Sequence, residues 1–503
     1  MPAATPVDTQ SAPRSPLNKR SFPRVLLWAT LFSASAVYES VHVSALLSTD
    51  VWWHLPAGIW ILQNHAVPHS ALFSQHSELA WHDSSWAYDV LLALAYKFTG
   101  LRAIPLLLMV CKVGLALATF RLALAGGASA WIAAILSVVA QYVLTDLQPP
   151  AVISIIFFAI ELSLLVRSRQ TGNTSILFWL PPLFLLWANL HIQFVSGLVL
   201  LGLFLLALVV EHVLRGFSGR LLSDRILPLP LASVGVAAAI SVLCTCASPY
   251  TVHLFPDFGT MLYSPTSFQF GAEMRAMKFR SPQEYALMLL VMAAFFALGK
   301  KHAIDMFKLI LLVTATLLAF RIQRDSWYVV LAAVAIVADG FRIGKDNKES
   351  ASSSYHLEFA LATVLAIAIV AIASFRLPDQ NVLRAKISEH WPVKACDYIS
   401  ANRLPAPLFS EYAWGGFLIW YLPQYPVAVD SRVDLYGNDL VEKHFKVVGG
   451  TDRLETDPSF VSAHTLLLEQ HSAMADALIK LPALSSQFQL LYSDDIAAIF
   501  VRR

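Results

Sequence analysis

Ser48-Thr49-Asp50-Val51-Trp52-Trp53-His54-Leu55 opens the stretch that decides how this chain is read. It comes directly after the first long apolar segment, so Asp50 stands at the mouth of a run long enough to cross a bilayer. The stretch continues through Pro68, Phe73-Ser74 and Trp81-His82-Asp83-Ser84-Ser85-Trp86, and closes on a short amphipathic run, 88–98, before Arg102. It is polar, aromatic and rich in His, while most of the chain beyond Arg102 is apolar. A carboxylate roofed by Trp and His at the edge of a membrane marks residues 48–102 as the centre, with the rest as scaffold.

Working outward, composition sets the class. The 503 residues are 57% hydrophobic and 14% charged, and the mean hydropathy is positive. Apolar runs of about twenty residues recur, which is the signature of a polytopic membrane protein. A formal net charge of +2, with no basic stripe, gives no reason to expect a nucleic-acid partner. The four cysteines form no framework; Cys244-Thr245-Cys246 has neither zinc nor redox spacing, and all four read as small buried hydrophobes.

Residues 1–24 are Pro/Ser-rich and basic and read as a disordered cytoplasmic leader. The apolar run after it, 25–47, is too long for a signal-peptide core and reads as a retained span. Further candidate spans are 103–124, 129–146, 150–166, 174–190, 194–214, 226–247, 283–299, 303–320, 326–341 and 356–375. The run 85–98 carries Asp89 and Lys97 and is short for a crossing, so it reads as an amphipathic helix on the membrane surface. With that choice the basic loops fall on the inner side, the usual bias. The expectation is an α-helical membrane domain over 25–377, with about eleven crossings and a cytoplasmic N-terminus.

After Pro378 the composition becomes ordinary and soluble, and 378–503 reads as an extracytoplasmic α/β domain. Strands are expected over 406–410, 427–430, 464–468, 487–492 and 497–501, and helices over 393–401 and 474–481.

The candidate functional residues lie in the outward loops. Asp50 is placed to act as a general base on an acceptor bound at the membrane surface; its bland reading is a charge that ends a span. Trp53 and His54 beside it, and Asp83 in the same loop, are candidate acceptor contacts; an interfacial aromatic belt also accounts for the Trp pair. Arg102, Arg321 and Arg324 face outward against the positive-inside bias. The guanidinium fork suits phosphate, as it also suits ordinary phospholipid headgroups. His191, closing Trp187-Ala188-Asn189-Leu190-His191, and Glu273 in a long outer loop are polar groups available to a ligand, or simply a helix end and a solvated charge. In the C-terminal domain Trp414, Asp430 and Arg432 sit at predicted strand ends, where α/β domains build sites; tight turns with an internal Asp–Arg pair explain them equally. No Gly-rich phosphate loop, metal-spaced His/Cys cluster or hydrolase elbow occurs, which argues against an ATPase-type pump and a zinc enzyme.

Together these residues resemble the GT-C superfamily of integral-membrane glycosyltransferases. That superfamily includes protein O-mannosyltransferases, the lipid A aminoarabinose transferase and the catalytic subunit of oligosaccharyltransferase. Asp50-Val-Trp-Trp-His-Leu-x-x-Gly58 with Pro68, Phe73-Ser74 and Trp86 is similar to the first outer loop of bacterial members. So are Trp187-x-Asn189-x-His191 with Gly197, Tyr412-x-Trp414-Gly415-Gly416, and Asp430-x-Arg432-x-Asp434-x-Tyr436-Gly437. The resemblance implies a polyprenyl-phosphate sugar donor, an inverting displacement at the anomeric carbon, Asp50 as the first-loop carboxylate and Arg102 beside the donor phosphate. The acceptor is left open among glycan, lipid and protein. Many relatives carry Asp-Glu where this chain has Asp50-Val51. Asp146 and Gln148-Pro149 replace an Arg-Pro or Asp-x-Glu pattern, so a divalent cation has no ligand motif here. The resemblance places the protein in a bacterial inner membrane. Two other readings stand beside this one: a non-catalytic scaffold of a glycan assembly complex, and a transporter, which would want ionisable groups deep in its spans.

Overall fold

A computed structural model describes residues 21–217, 227–262, 274–300, 303–342 and 352–503. Residues 1–20 of the leader, and Glu273, lie outside the described residues. In chain order the first helices are α1 (Ser21–His42), α2 (Val51–Asn64), α3 (Trp86–Thr99), α4 (Ala103–Gly126), α5 (Ala130–Val143), α6 (Ala151–Thr171) and α7 (Leu180–Leu190). Next come α8 (Phe194–Phe217), α9 (Leu231–Thr245), α10 (Leu254–Leu262), α11 (Pro282–Gly299), α12 (Met306–Arg321), α13 (Ser326–Gly340) and α14 (Ser352–Phe375). A helix occupies every span expected from the sequence. Among the described residues, five helical segments are long and apolar enough to cross a membrane, and the protein is a multi-pass integral membrane protein. One of the five, Trp86–Gly126, is two helices: Gly100 adopts φ +60°, a conformation open to glycine, and turns the chain between α3 and α4.

α13 is the axis of the bundle. Almost all of it is buried, and its run of Ala and Val lets neighbours approach closely. A Cβ on Gly126 of α4 would lie 2.7 Å from the Cβ of Ala338, so the glycine is what allows that crossing. Aromatic side chains fill the wider gaps: Trp28 and Phe32 of α1 meet Phe120 of α4, and Phe158 of α6 meets Trp327 edge-on. At one end of the bundle a buried ion network ties four helices. Arg169 of α6 bonds to Glu211 of α8 at 2.6 Å and to Asp305 at 3.1 Å. Lys308 of α12 bonds to Asp305 at 3.1 Å and to Asp339 of α13 at 2.6 Å.

The other end carries the first loop and the C-terminal domain. That domain runs α15 (Gln380–Ser388), α16 (Val393–Asn402), β1 (Leu408–Ser410), α17 (Gly415–Tyr421), α18 (Val433–Val448), α19 (Pro458–Ser462), β2 (Thr465–Glu469), α20 (Ala473–Lys480), α21 (Pro482–Ser485), β3 (Phe488–Ser493) and β4 (Ala497–Arg502). The sheet order is β1-β2-β4-β3, with β1 parallel to β2 and the other pairs antiparallel. The expected strand over 427–430 is not in this sheet. Val427 instead makes an isolated parallel bridge with Ser74 of the first loop: its N–H donates to the Phe73 carbonyl, and its own carbonyl accepts from Gln75. The apolar alternation is real, but its backbone partner lies over three hundred residues away.

The first loop also departs from expectation. A helix, α2, starts immediately after Asp50 and packs along α3. A Cβ on Gly58 would sit 1.9 Å from the Asp89 carbonyl oxygen, so the two backbones touch there. On its other side α2 meets α17, with Trp52 packed against Trp391, Phe417 and Trp420.

Candidate active site

Asp50 occupies the position before the first turn of α2, and its backbone is already helical, φ −79° and ψ −33°. Its carbonyl accepts the N–H groups of Trp53 and His54, while its carboxylate caps nothing. The side chain is exposed, and Thr49 Oγ1 donates to Oδ1 at 3.2 Å. The carboxylate is thus accessible at the head of the helix.

One turn further His54 is buried, and its Nδ1 lies 2.6 Å from Oδ1 of Asp89 on α3. Burial pushes the imidazole down to about 4, with Asp50 and then Asp83 pulling the other way. Asp83, just before α3, is buried as well; Ser85 N–H donates to its Oδ1 at 3.1 Å. Burial first, and the Asp89 charge second, hold its carboxyl well above the usual range.

Trp53 bridges to the C-terminal domain. Its ring lies against His54 with centroids 3.6 Å apart and meets Trp81 at 6.0 Å. The Arg432 guanidinium caps this group, 4.5 Å from the Trp81 centroid and 5.8 Å from that of Trp53. Asp430 holds Arg432 by a two-point contact, Nε to Oδ1 at 2.8 Å and NH2 to Oδ2 at 2.6 Å. Tyr436 donates to Asp430 Oδ2 at 2.7 Å, and Arg432 also donates to the Leu72 carbonyl of the first loop at 3.1 Å. Burial disfavours the guanidinium charge, but Asp430 outweighs it and raises the group. Asp430 and Arg432 are thus a buried clamp between domains. Trp414 is buried beside them. A Cβ on Gly415 would meet the Val429 carbonyl at 2.3 Å, and one on Gly416 the Thr49 carbonyl at 2.6 Å, which explains the paired glycines.

The remaining candidates lie around this core. His191 comes just after α7; its Nδ1 shares a 2.8 Å hydrogen bond with Ser154 Oγ, which also accepts from Trp187 Nε1 at 2.7 Å. Burial pushes the His191 imidazole down to about 3, with His54 and Arg324 acting in the same direction, so the three side chains share one electrostatic neighbourhood. Arg324 is half-buried between α12 and α13, and Arg321 ends α12 exposed. Arg102 is at the head of α4, where its Nε donates to the Pro378 carbonyl at 2.9 Å, at the joint with the C-terminal domain.

Two acids were not singled out from the sequence. Asp89 occupies the buried stripe of α3 with Tyr88, Leu92 and Ala93; a charge on the apolar face of an amphipathic run was the available signal. Asp434, two residues past Arg432, is the accessible acid of that motif, whereas Asp430 is enclosed. The residue keeps an exposed surface, yet desolvation by the protein around its carboxyl pushes that group up to about 6. Among the described residues no group of three His, Cys, Asp or Glu side chains is arranged to hold a metal ion.

A membrane bundle whose first loop and C-terminal α/β domain close over one end has a GT-C-like fold. The particular likenesses are to solved structures. The chain is similar to the Archaeoglobus fulgidus oligosaccharyltransferase tethered to an acceptor peptide containing the NVT sequon, with 11% identity, 96% of this chain and 74% of that one covered, and a TM-score of 0.53. It is also similar to ArnT from Cupriavidus metallidurans bound to undecaprenyl phosphate, with 13% identity, 94% and 97% covered, and a TM-score of 0.48. No family model and no curated protein matches the sequence.

Proposed function

We propose that the protein is a glycosyltransferase that moves a sugar from a polyprenyl-phosphate carrier to an acceptor at the loop-bearing face of the membrane. The observation that carries this is Asp50: an accessible, uncapped carboxylate placed where α2, Trp53 and the Gly416 backbone of the C-terminal domain converge over the bundle. The GT-C-like fold supports it. Asp50 takes the proton of an acceptor hydroxyl or amine, which attacks the anomeric carbon from the side opposite the phosphate and inverts it. Arg324, with His191 close by, and Arg102 and Arg321 at the neighbouring helix ends stabilise charge gathering on the departing lipid phosphate. Trp53 and Asp434 line the acceptor side, while Asp430 and Arg432 hold the wall in place.

Asp50→Asn keeps the shape and removes the proton acceptor. Transfer from a radiolabelled polyprenyl-phosphate sugar should fall by roughly two to four orders of magnitude, with donor binding unchanged. Near-full transfer in this variant would remove Asp50 as the base.

A further inference from the structure

Two exposed arginines stand together at the end of the bundle away from the first loop: Arg121 of α4 and Arg167 of α6. Their helices run side by side in the same direction. A Cβ on Gly114 would lie 2.9 Å from Ile156 Cδ1, and nearer the helix ends Gln170 Nε2 donates to the Ala125 carbonyl at 2.8 Å. Arg121 comes four residues before Ala125, and Arg167 three before Gln170, so the pair is level to within about one helical turn. Arg167 is the charged neighbour that acts on Arg121.

The acids at this end are already engaged. Glu211, Asp305 and Asp339 bond to Arg169 and Lys308 in the buried network. Arg169, two residues past Arg167, points to the opposite side of α6, about 200° round the helix. Glu358 of α14 is buried 3.7 Å from Arg24. Among the described residues, neither Arg121 nor Arg167 is in ion-pair contact with a carboxylate. Two guanidinium groups side by side repel each other, and a phosphate between them turns that repulsion into attraction.

The surroundings suit a lipid. Arg121 Cζ lies 4.1 Å over the centroid of the Phe359 ring on α14. Stacked in this way, the guanidinium is fixed by its face and keeps its N–H edges for an oxygen acceptor. From Phe359 toward the middle of α14, Leu361, Val364 and Ile367 are exposed at helical spacing. Acyl chains laid along this stripe place a headgroup phosphate beside the two arginines. A zwitterionic headgroup would bring its own ammonium up to them, so a net negative headgroup is favoured.

We propose that Arg121 and Arg167 hold the phosphate of an anionic phospholipid in the leaflet at this end, with its chains along α14. The site is separate from the Asp50 end and does not depend on the transfer reading.

Native mass spectrometry of the full-length protein in detergent, titrated with phosphatidylglycerol or phosphatidylcholine, tests this. The parent should retain phosphatidylglycerol about tenfold more tightly, and the double variant Arg121→Gln, Arg167→Gln should lose the preference. Arg167→Gln alone leaves the Phe359 stack in place and should weaken phosphatidylglycerol binding about tenfold. Arg453→Ala, exposed on the C-terminal domain, should change nothing. Thermal melts without lipid check that the variants are folded, and added phosphatidylglycerol should raise the melting temperature of the parent and not of the double variant. Equal retention of the two lipids by the parent, or an undiminished preference in the double variant or in Arg167→Gln, overturns the site. An equal loss in Arg453→Ala overturns it as well, because the attraction would then belong to the whole surface.

Discussion

At the residue scale, Arg432 ties the first loop to the C-terminal domain. Arg432 is committed to Asp430 and Leu72, so it serves the architecture. Arg432→Met should destabilise the protein by about 3–5 kcal/mol, because Asp430 is left buried without its partner. Arg432→Lys should recover only part of this, since an ammonium cannot keep the two-point contact. Thermal melts in detergent read both. Arg324→Ala should weaken binding of a polyprenyl-phosphate sugar by about 1.5–3 kcal/mol. Equal donor affinity in the variant and the parent would reduce Arg324 to a headgroup anchor. The sequence pointed to Asp50, His54 and the Asp430–Arg432 pair because each sits in a dense local motif. It did not point to Asp89, whose partner is thirty-five positions away and whose role depends on the crossing of α2 and α3.

At the scale of elements, close approach and buried charge decide the behaviour. Gly58→Ala would drive a methyl into the Asp89 carbonyl, so α2 and α3 must separate. The expected cost is about 1–3 kcal/mol, together with loss of transfer on the proposed reading, because Asp50 heads the displaced helix. Glu411, at the end of β1, accepts from the Glu469 N–H at 3.2 Å. Burial, with the Glu469 charge adding to it, pushes its carboxyl up to about 7 from 4.5. Between those values the folded domain holds a proton that the unfolded chain has released, so stability falls as pH rises through this window, by roughly 1.4 kcal/mol per unit at most. Melting temperature should therefore decline from pH 4.5 to 7 on account of this group, and Glu411→Gln should flatten the slope. Hydropathy alone located the apolar helices, since such a helix needs only its own residues to be apolar. The bridge at Val427 and the helix after Asp50 escaped it, because both depend on contacts between the first loop and the distant C-terminal domain.

For the whole molecule, the charge distribution predicts which way the bundle faces. The basic N-terminal leader and the basic loops belong inside, and the C-terminal domain outside. In a cysteine-free background, Ser486→Cys should react with an impermeant thiol reagent on spheroplasts, and Ser175→Cys, exposed in the turn between α6 and α7, should react only after lysis. The reverse pattern would put the candidate site on the inner face and overturn a donor presented outside.

The bond from Arg432 to the Leu72 carbonyl joins residues 360 positions apart. A ribosome adding about 5–20 residues per second makes one partner roughly 20 to 70 s before the other. Through that interval Asp50 and Trp53 are already at the membrane without the wall that Gly416 and Arg432 complete. A chain stopped anywhere before the C-terminal domain would carry Asp50 on an unfinished surface. The wall over Asp50 is therefore the last part of the site to be made.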